Sequence, residues 1–240
     1  MGLLKPERLG LSDFADQPVS ICGKALRAHM SGALYWPSER ALIVSDLHLE
    51  KGSYYAVRGQ MLPPYDTRES LRRLAEVIDA YDVETVIALG DSFHDSQAEA
   101  RIDPSDRETL KIVQDACDWI WITGNHDARI SDVFGGTVLP ELTVEGLTLR
   151  HEPGCGAITH EIAGHLHPAA RLVMNGTAIR RPCFVGNGLR LVMPAFGTFA
   201  GGLNILDQAF EPLFGADGMA VWMLGQEGLY PVAARLLRED

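Results

Sequence analysis

Three short apolar runs in the first half of the chain each lead into polar residues that can bind metal ions. The runs and the polar groups after them are residues 41–45 before Asp46-Leu47-His48, residues 85–89 before Gly90-Asp91, and residues 119–123 before Gly124-Asn125-His126. Short continuous apolar runs are typical of buried strands. In open α/β sheets, sites form beyond the carboxyl ends of the strands. The pattern therefore predicts a polar site at one edge of a buried sheet.

The segments between these runs have helical patterns. Asp66 resembles a helix N-cap with Glu69 as its capping-box partner, and apolar residues follow at helical spacing. Asp103-Pro104 predicts a second helix start, with proline at the first helical position. The first half thus alternates strand and helix, which predicts a parallel sheet with helices packed on it.

The second half changes character after about Phe134, where helical spacing becomes scarce. Turn signals lie between apolar runs at Glu145-Gly146, Asn175-Gly176 and Asn187-Gly188. They predict a second, more antiparallel sheet. We therefore expect an α/β fold, a four-layer α/β/β/α sandwich of two mixed β-sheets flanked by helices. We expect one domain over residues 1–240, with residues 1–19 as an N-terminal arm.

Further histidines follow the three strand ends. They are His151 and the pair His165-Leu166-His167. Aspartate, asparagine and histidine supply oxygen and nitrogen ligands without thiolate, a set that suits manganese, iron, zinc or magnesium. In an extended segment, residues two apart point to the same side. Asp46 and His48 are thus expected to face one ion, provided that the segment stays extended past the strand end, and His165 and His167 two neighbouring ions.

Glycines precede three of the polar groups. Gly90, Gly124 and Gly164 are expected to allow the close backbone approach that brings ligands to a metal.

Composition excludes some functions and leaves others open. The formal charge of −11 argues against a general nucleic-acid coat, but a metal site gathers carboxylates, so a nuclease remains compatible with it. The four cysteines form no CxxC pair, which argues against a thiolate zinc site. There is no apolar run of membrane-spanning length and no signal-peptide core in residues 1–16, so we expect a cytoplasmic protein with no membrane partner.

The ordered series from residue 45 to residue 167 resembles the calcineurin-like metallophosphoesterase superfamily. The resemblance implies two divalent metal ions and a fold that agrees with the predicted sandwich. It also implies that Asp91 bridges the two ions and that six further residues bind one ion each. These residues would be Asp46, His48 and His167 for the first ion, and Asn125, His151 and His165 for the second.

The same resemblance implies a catalytic role for His126 together with Asp91. His126 would stand over the phosphate, stabilising charge or protonating the leaving oxygen, while a metal-bridging hydroxide attacks in line. The chain departs from many relatives at His94, where they carry a carboxylate that orients the catalytic histidine. Asp95 or Asp127 is expected to take over that role.

Other segments narrow the resemblance to one branch. Residues 50–60 and 62–67, with residues 90–95, 181–184 and 194–197, resemble the ligase-associated DNA-damage-response endonucleases of the PdeM type. This resemblance extends over nearly the whole chain. It implies a bacterial phosphodiesterase that favours Mn²⁺, acts on DNA, and works alongside a DNA ligase and a helicase.

A few individual residues of this segment are candidates for contact with a nucleic-acid substrate. Lys51 and Arg58 are placed to reach a phosphate backbone, and His94 to contact substrate phosphate, although a structural role for His94 stays open. Tyr54 and Tyr55 are suited to stacking on unpaired bases, but a lid or dimer contact explains them equally well.

Two competing functions stay open. One is a small-molecule phosphoesterase, such as a nucleotide or lipid-precursor pyrophosphatase. The other is a non-catalytic scaffold, which is disfavoured because His126 and every candidate ligand are present. Several members of this fold form dimers, so a homodimer is a further expectation.

Overall fold

Two β-sheets pack face to face in the computed structural model, which describes residues 15–60, 62–156, 160–214 and 218–240. Within these residues the first sheet contains seven strands in chain order. They are β1 (Asp16–Ile21), β2 (Lys24–His29), β3 (Leu34–Trp36), β4 (Ala41–Val44), β5 (Thr85–Leu89), β6 (Asp118–Ile122) and β7 (Thr137–Leu139).

The described part of the second sheet contains nine strands. They are β8 (Glu141–Val144), β9 (Leu147–Arg150), β10 (Glu161–Ala163), β11 (Pro168–Met174), β12 (Thr177–Gly186), β13 (Arg190–Val192), β14 (Leu203–Asn204), β15 (Ala220–Leu224) and β16 (Leu229–Val232). The helices are α1 (Lys51–Ala56), α2 (Asp66–Ala80), α3 (Ala98–Arg101), α4 (Pro104–Asp115) and α5 (Glu211–Phe214).

Both sheets are mixed. Strands β4, β5, β6 and β7 are parallel neighbours, while β1 to β4 pair antiparallel. In the second sheet β9, β10 and β13 are parallel neighbours, and three predicted turns join the antiparallel pairs β8–β9, β11–β12 and β12–β13. The predicted alternation of strand and helix and the predicted hairpins are confirmed.

Successive side chains of the buried strands point to opposite sides of each sheet, so the two sheets divide the core into three apolar layers. Leu42 and Val44 of β4 pack with Leu71 and Leu110 of the outer helices, whereas Ile43 faces the second sheet. The side chains that fill the space between the sheets include Ile43, Ile87, Ile122, Leu149, Ile162, Phe184 and Leu191. On the far side of the second sheet, Cys183 and Val185 pack with Phe210 and Phe214. The order helix, sheet, sheet, helix confirms the predicted α/β sandwich.

Two local predictions are wrong. Strand β1 begins at Asp16 and pairs with β2, so residues 16–19 are not part of an arm; residues 1–14 lie outside the described residues. Asp66 is the first residue of α2 and not its cap. Its carboxylate accepts a hydrogen bond from the backbone N–H of Gly52 in α1, at 2.9 Å. Asp103 does cap α4, since its side chain accepts from the N–H of Ser105.

None of the helices in the described ranges has the length and apolar character needed to span a membrane.

Candidate active site

The loops after the parallel strands of both sheets meet at one edge of the sandwich. Asp46 follows β4, Asp91 follows β5 and Asn125 follows β6, so all three lie beyond strand carboxyl ends. The second sheet adds His151 directly after β9, with His165 and His167 between β10 and β11. Packing of the sheets therefore brings the polar ends of two separate sets of strands together.

Six side chains at this edge, His48 among them, form two compact groups. Asp46, His48 and His167 form the first, and Asp91, His151 and His165 form the second; within each group one potential ligand atom per residue lies within 4.8 Å of the others. In the first group, His167 Nε2 lies 3.1 Å from Asp46 Oδ1 and 3.3 Å from His48 Nε2.

The second group includes a nearby amide oxygen. His151 Nε2 lies 3.2 Å from His165 Nδ1 and 3.0 Å from Asn125 Oδ1. Asn125 therefore joins this group, as the sequence predicts.

Asp91 lies between the two groups. Its Oδ2 is 3.4 Å from His151 Nε2 in the second group and 4.0 Å from His48 Nε2 in the first. Two metal ions held close together need an anionic ligand between them, and this carboxylate has the position of a bridge.

The side chains fit divalent cations. Asp46 is fully buried and, among the described residues, its Oδ1 receives no hydrogen bond of normal geometry, although His167 Nε2 lies 3.1 Å away. A buried carboxylate oxygen without a donor is costly unless a cation meets it. His151 Nδ1 donates to the carbonyl oxygen of Leu89 at 2.9 Å, which leaves the Nε2 lone pair directed at the second group. We therefore expect each group to hold one ion.

The backbone around the ligands is not extended, contrary to the sequence prediction. The φ angles of Asp46 and His48 are 52° and 43°, those of His165 and His167 are 67° and 46°, and that of Asp91 is 44°. Asp46 and His48 still share one group, and His165 and His167 still divide between the two groups. The expected arrangement is therefore present, but left-handed backbone and not strand alternation produces it.

A ladder of hydrogen bonds fixes this unusual backbone. The N–H of Asp46 donates to the carbonyl of Gly90 at 3.2 Å, and that of His48 to the carbonyl of Asp91 at 2.9 Å. The N–H of His94 donates to the carbonyl of Leu49, also at 2.9 Å. The two loops therefore hold each other in place, and strained conformations persist where surroundings determine them in this way.

Two glycines allow the loops to approach closely. A Cβ atom on Gly164 would lie 1.7 Å from Ser45 Oγ, and one on Gly124 would lie 2.3 Å from the backbone nitrogen of Asp91. No side chain fits at either position, which confirms the predicted role of these glycines in close approach.

Burial and neighbouring charges together shift the pKa values of Asp91, His151 and His48. Burial by itself would raise the pKa of Asp91, but hydrogen bonding to His151 and its charge lower it to about 2. Burial would lower the pKa of His151, but the carboxylates of Asp91 and Asp46 raise it to about 9. Burial lowers the pKa of His48 to about 3. Without a metal, His151 therefore carries a proton that an ion must displace.

His126 lies beside the two groups without joining either. Its backbone N–H donates to Asp91 Oδ1 at 2.8 Å, and its Nδ1 donates to the carbonyl oxygen of His94 at 2.9 Å. Its side chain is 42% exposed, far more than those of His48, His151 and His167, so its Nε2 can meet a substrate.

Neither aspartate expected to orient His126 does so. Asp95 forms a two-pronged ion pair with Arg101. Asp127 is buried and accepts hydrogen bonds from four backbone N–H groups, those of Gly124, Asp91, Ser92 and Phe93. Asp127 therefore shapes the loop that carries Asp91, and a backbone carbonyl orients the imidazole. A backbone acceptor has no sequence signal.

The sequence profile of the calcineurin-like phosphoesterase family matches residues 39–169, more than half of the chain. The chain belongs to this family. It is a metal-dependent phosphoesterase, and the family uses a dinuclear metal centre. Among curated proteins, no similar sequence is found.

The solved structure of a nuclease is also similar to this phosphoesterase. The crystal structure of Pseudomonas putida nuclease MPE matches with a TM-score of 0.70 and 31% sequence identity, over 90% of this chain and 100% of that chain. A protein of unknown function from Aquifex aeolicus matches with a TM-score of 0.37 and 17% identity, over 53% of this chain and 78% of that chain. The second similarity is too low to carry an argument.

The three side chains predicted to contact substrate lie on one side of the phosphoesterase site. Lys51 begins α1, and its backbone N–H donates to the carbonyl oxygen of His48 at 3.3 Å, so this residue lies beside the first group. His94 is buried, with its Nδ1 3.4 Å from His48 Nδ1. Arg58 is exposed and donates to the carbonyl oxygen of Tyr54 at 3.0 Å. Their contact with substrate stays a prediction.

Sequence reasoning missed two supporting residues. Ser45 Oγ donates to Asp46 Oδ2 at 2.5 Å, beside the N–H of His165, which donates to the same oxygen at 3.0 Å. Arg101 donates from Nε to Ser53 Oγ at 3.0 Å and so ties Asp95 to α1. Ser45 could have been noticed from its place beside Asp46. No pattern marks Arg101.

Proposed function

We propose that this phosphoesterase is a nuclease that hydrolyses phosphodiester bonds in DNA with two divalent ions, preferably Mn²⁺. The observation that carries the proposal is the position of Asp91, whose carboxylate lies between two ligand groups and also holds the backbone of His126. The similarity to Pseudomonas putida nuclease MPE supports the choice of substrate. The oxygen and nitrogen ligand set is compatible with Mn²⁺.

The reaction we propose is a direct in-line displacement at phosphorus, without a covalent enzyme intermediate. Two divalent ions bound here would lower the pKa of the attacking water and neutralise charge on the phosphate oxygens. Asp46, His48 and His167 would hold one ion, Asn125, His151 and His165 the other, and Asp91 both.

His126 would act on the leaving oxygen. Its Nδ1 proton is committed to the carbonyl of His94, so the side chain can exchange a proton with substrate only through Nε2. A histidine fixed in this way can act as the general acid that protonates the departing alkoxide.

The cellular pathway of the enzyme is part of the same proposal. The resemblance to ligase-associated DNA-damage-response endonucleases supports a role in bacterial DNA repair, in the cytoplasm, with a DNA ligase and a helicase in the same pathway.

The test uses metal-stripped protein reloaded with Mn²⁺. We expect it to cleave both bis-p-nitrophenyl phosphate and labelled single-stranded DNA, and we expect Asp91→Asn to abolish both activities. Cleavage of the aryl diester with DNA untouched would keep the phosphodiesterase chemistry but contradict the nuclease assignment, and would favour a small-molecule substrate.

A further inference from the structure

A row of aromatic rings leads from His126 to the outer side of helix α1. The ring of His94 stacks on that of His126, with centroids 5.3 Å apart and planes 19° apart. Tyr55 lies against His94 at 5.9 Å and 29°, and Tyr54 meets His94 edge to face at 4.5 Å. His94 is buried, whereas both tyrosines are only half-buried. The row therefore begins at the candidate proton donor and reaches solvent at the tyrosines.

Two cationic side chains flank the rings. The guanidinium of Arg58 lies 3.5 Å from the centroid of the Tyr54 ring. Lys51 is half-buried, and within the described ranges its ammonium forms no hydrogen bond and no ion pair. Aromatic faces together with cations are the features with which proteins bind single-stranded nucleic acid: the bases stack on the rings, and the cations meet the phosphates.

The helix that carries these residues is fixed in place. Glu50, which precedes it, is buried and accepts hydrogen bonds from Ser53 Oγ at 2.6 Å and Thr67 Oγ1 at 2.8 Å. Asp66 holds the N–H of Gly52, and Arg101 holds Ser53. The rings are therefore already positioned before a substrate arrives, which lowers the entropy that binding must overcome.

We propose that Tyr54 and Tyr55, backed by the buried ring of His94, form a binding site for the unpaired nucleobase next to the scissile phosphate, with Lys51 and Arg58 contacting a neighbouring phosphate. This inference rests on the proposed phosphodiesterase function and narrows its substrate class. A base inside a duplex has both faces stacked and cannot lie on these rings without unpairing. The site therefore favours single-stranded nucleic acid over duplex.

The contrasting explanation is that the rings only pack against the loop carrying His94. The two explanations differ in what they predict for substrates with and without a base. A packing defect would disturb the metal site and lower the hydrolysis of every phosphodiester. Loss of a base-binding site would act on nucleotides alone.

Two aryl diesters with the same leaving group separate these explanations. Thymidine 5′-(p-nitrophenyl phosphate) carries a nucleobase, and methyl p-nitrophenyl phosphate carries none. We would measure kcat/KM for both with the Mn²⁺-loaded wild type, Tyr54→Leu, Tyr54→Phe and Tyr55→Leu. Leucine keeps apolar bulk without a π face, phenylalanine keeps the face, and Tyr65→Ala removes an exposed tyrosine away from the row as a control.

We expect the wild type to prefer the thymidine diester. We expect each leucine variant to lose about tenfold more kcat/KM on the thymidine diester than on the methyl diester, with Tyr54→Phe and Tyr65→Ala within about twofold of the wild type. Equal losses on both substrates, equal behaviour of Tyr54→Leu and Tyr54→Phe, or no wild-type preference for the thymidine diester would overturn the base-binding site.

Failure of the proposed function gives a different result. A wild type that hydrolyses the two diesters but not DNA would contradict the nuclease assignment, while the ratio between the diesters would still decide the base-binding site. A wild type inactive on both diesters would overturn the site together with the phosphodiesterase function.

Discussion

His126 Nδ1 lies 2.9 Å from the carbonyl oxygen of His94, and this contact fixes which nitrogen faces the substrate. The carbonyl can only accept, so Nδ1 carries the proton and Nε2 is left to serve the leaving group.

The first prediction concerns this imidazole. His126→Ala should lower kcat on DNA about a hundredfold to ten-thousandfold, the usual range for a general acid. The loss on bis-p-nitrophenyl phosphate should be much smaller, since p-nitrophenolate leaves without protonation. Steady-state rates on both substrates check this, with His126→Gln as a variant of similar size. Equal losses on both would indicate charge stabilisation and not proton donation.

The second prediction concerns Arg101, which holds the loop of His94 through Asp95. Arg101→Met should loosen the carbonyl that orients His126 and lower kcat on DNA about tenfold, because small displacements of a catalytic group are costly. The decrease in kcat on the aryl diester should be smaller. Arg72→Met, which removes a guanidinium from exposed pairs with Glu69 and Glu76, is the matched control. Equal decreases in kcat on DNA and on the aryl diester would instead indicate general destabilisation of the protein.

The third prediction concerns Asp127, whose carboxylate accepts four backbone N–H groups. Asp127→Asn replaces one acceptor oxygen with an amide group that faces N–H donors. We expect the free energy of unfolding to fall by about 3 kcal/mol, as for other buried groups left unpaired. Urea unfolding measures it, with the exposed Asp115→Asn as control. A loss below about 1 kcal/mol would contradict this account.

The fourth prediction concerns pH. The pKa of His151 is raised to about 9 in the metal-free protein, so its contribution to stability is fully present below pH 6.5 and is lost as pH rises through 9. Mn²⁺ must displace that proton, so its affinity should rise over the same range. We therefore expect Mn²⁺ to raise Tm more at pH 8.5 than at pH 6.5. The same increase at both pH values would show that His151 is not a ligand.

The fifth prediction concerns Gly164. A methyl group there would overlap Ser45 Oγ and press on Asp46 Oδ2, 2.5 Å away. Gly164→Ala should therefore displace the carboxylate and weaken Mn²⁺ binding at least tenfold, measured by calorimetric titration. Gly201→Ala is the matched control, since a Cβ there meets nothing within 4 Å. Normal Mn²⁺ binding by Gly164→Ala would mean that the loop adapts at little cost.

Much of the fold follows from local signals. The apolar run at residues 41–45 and the turns at Asn175-Gly176 and Asn187-Gly188 correctly indicate strands and hairpins, because burial and turn geometry act over a few residues. The error at Asp66 has a tertiary cause. Its carboxylate is a good cap by type, but the N–H of Gly52, fourteen residues earlier in the chain, competes for it successfully.

In the candidate site, too, some features were predictable from the sequence and others were not. Residue types and order were enough to select the side chains that meet at the sheet edge. The left-handed backbone of Asp46 and His48 was not predictable, because it is imposed by hydrogen bonds that their N–H groups donate to carbonyls of the loop at residues 90–94. The orientation of His126 was also not predictable from the sequence. Every residue has a backbone carbonyl, and only the folded chain places that of His94 beside the imidazole.

Each group of candidate ligands takes members from both sheets, with Asp46, His48 and Asp91 from the first and His151, His165 and His167 from the second. During synthesis the first three leave the ribosome well before the last three. The second group is complete only after residue 165 has emerged and the first only after residue 167, and both also need the sheets to close on each other. A nascent chain ending in the first sheet therefore offers a metal ion only part of either group, and a complete set of ligands exists only when the whole sandwich has formed.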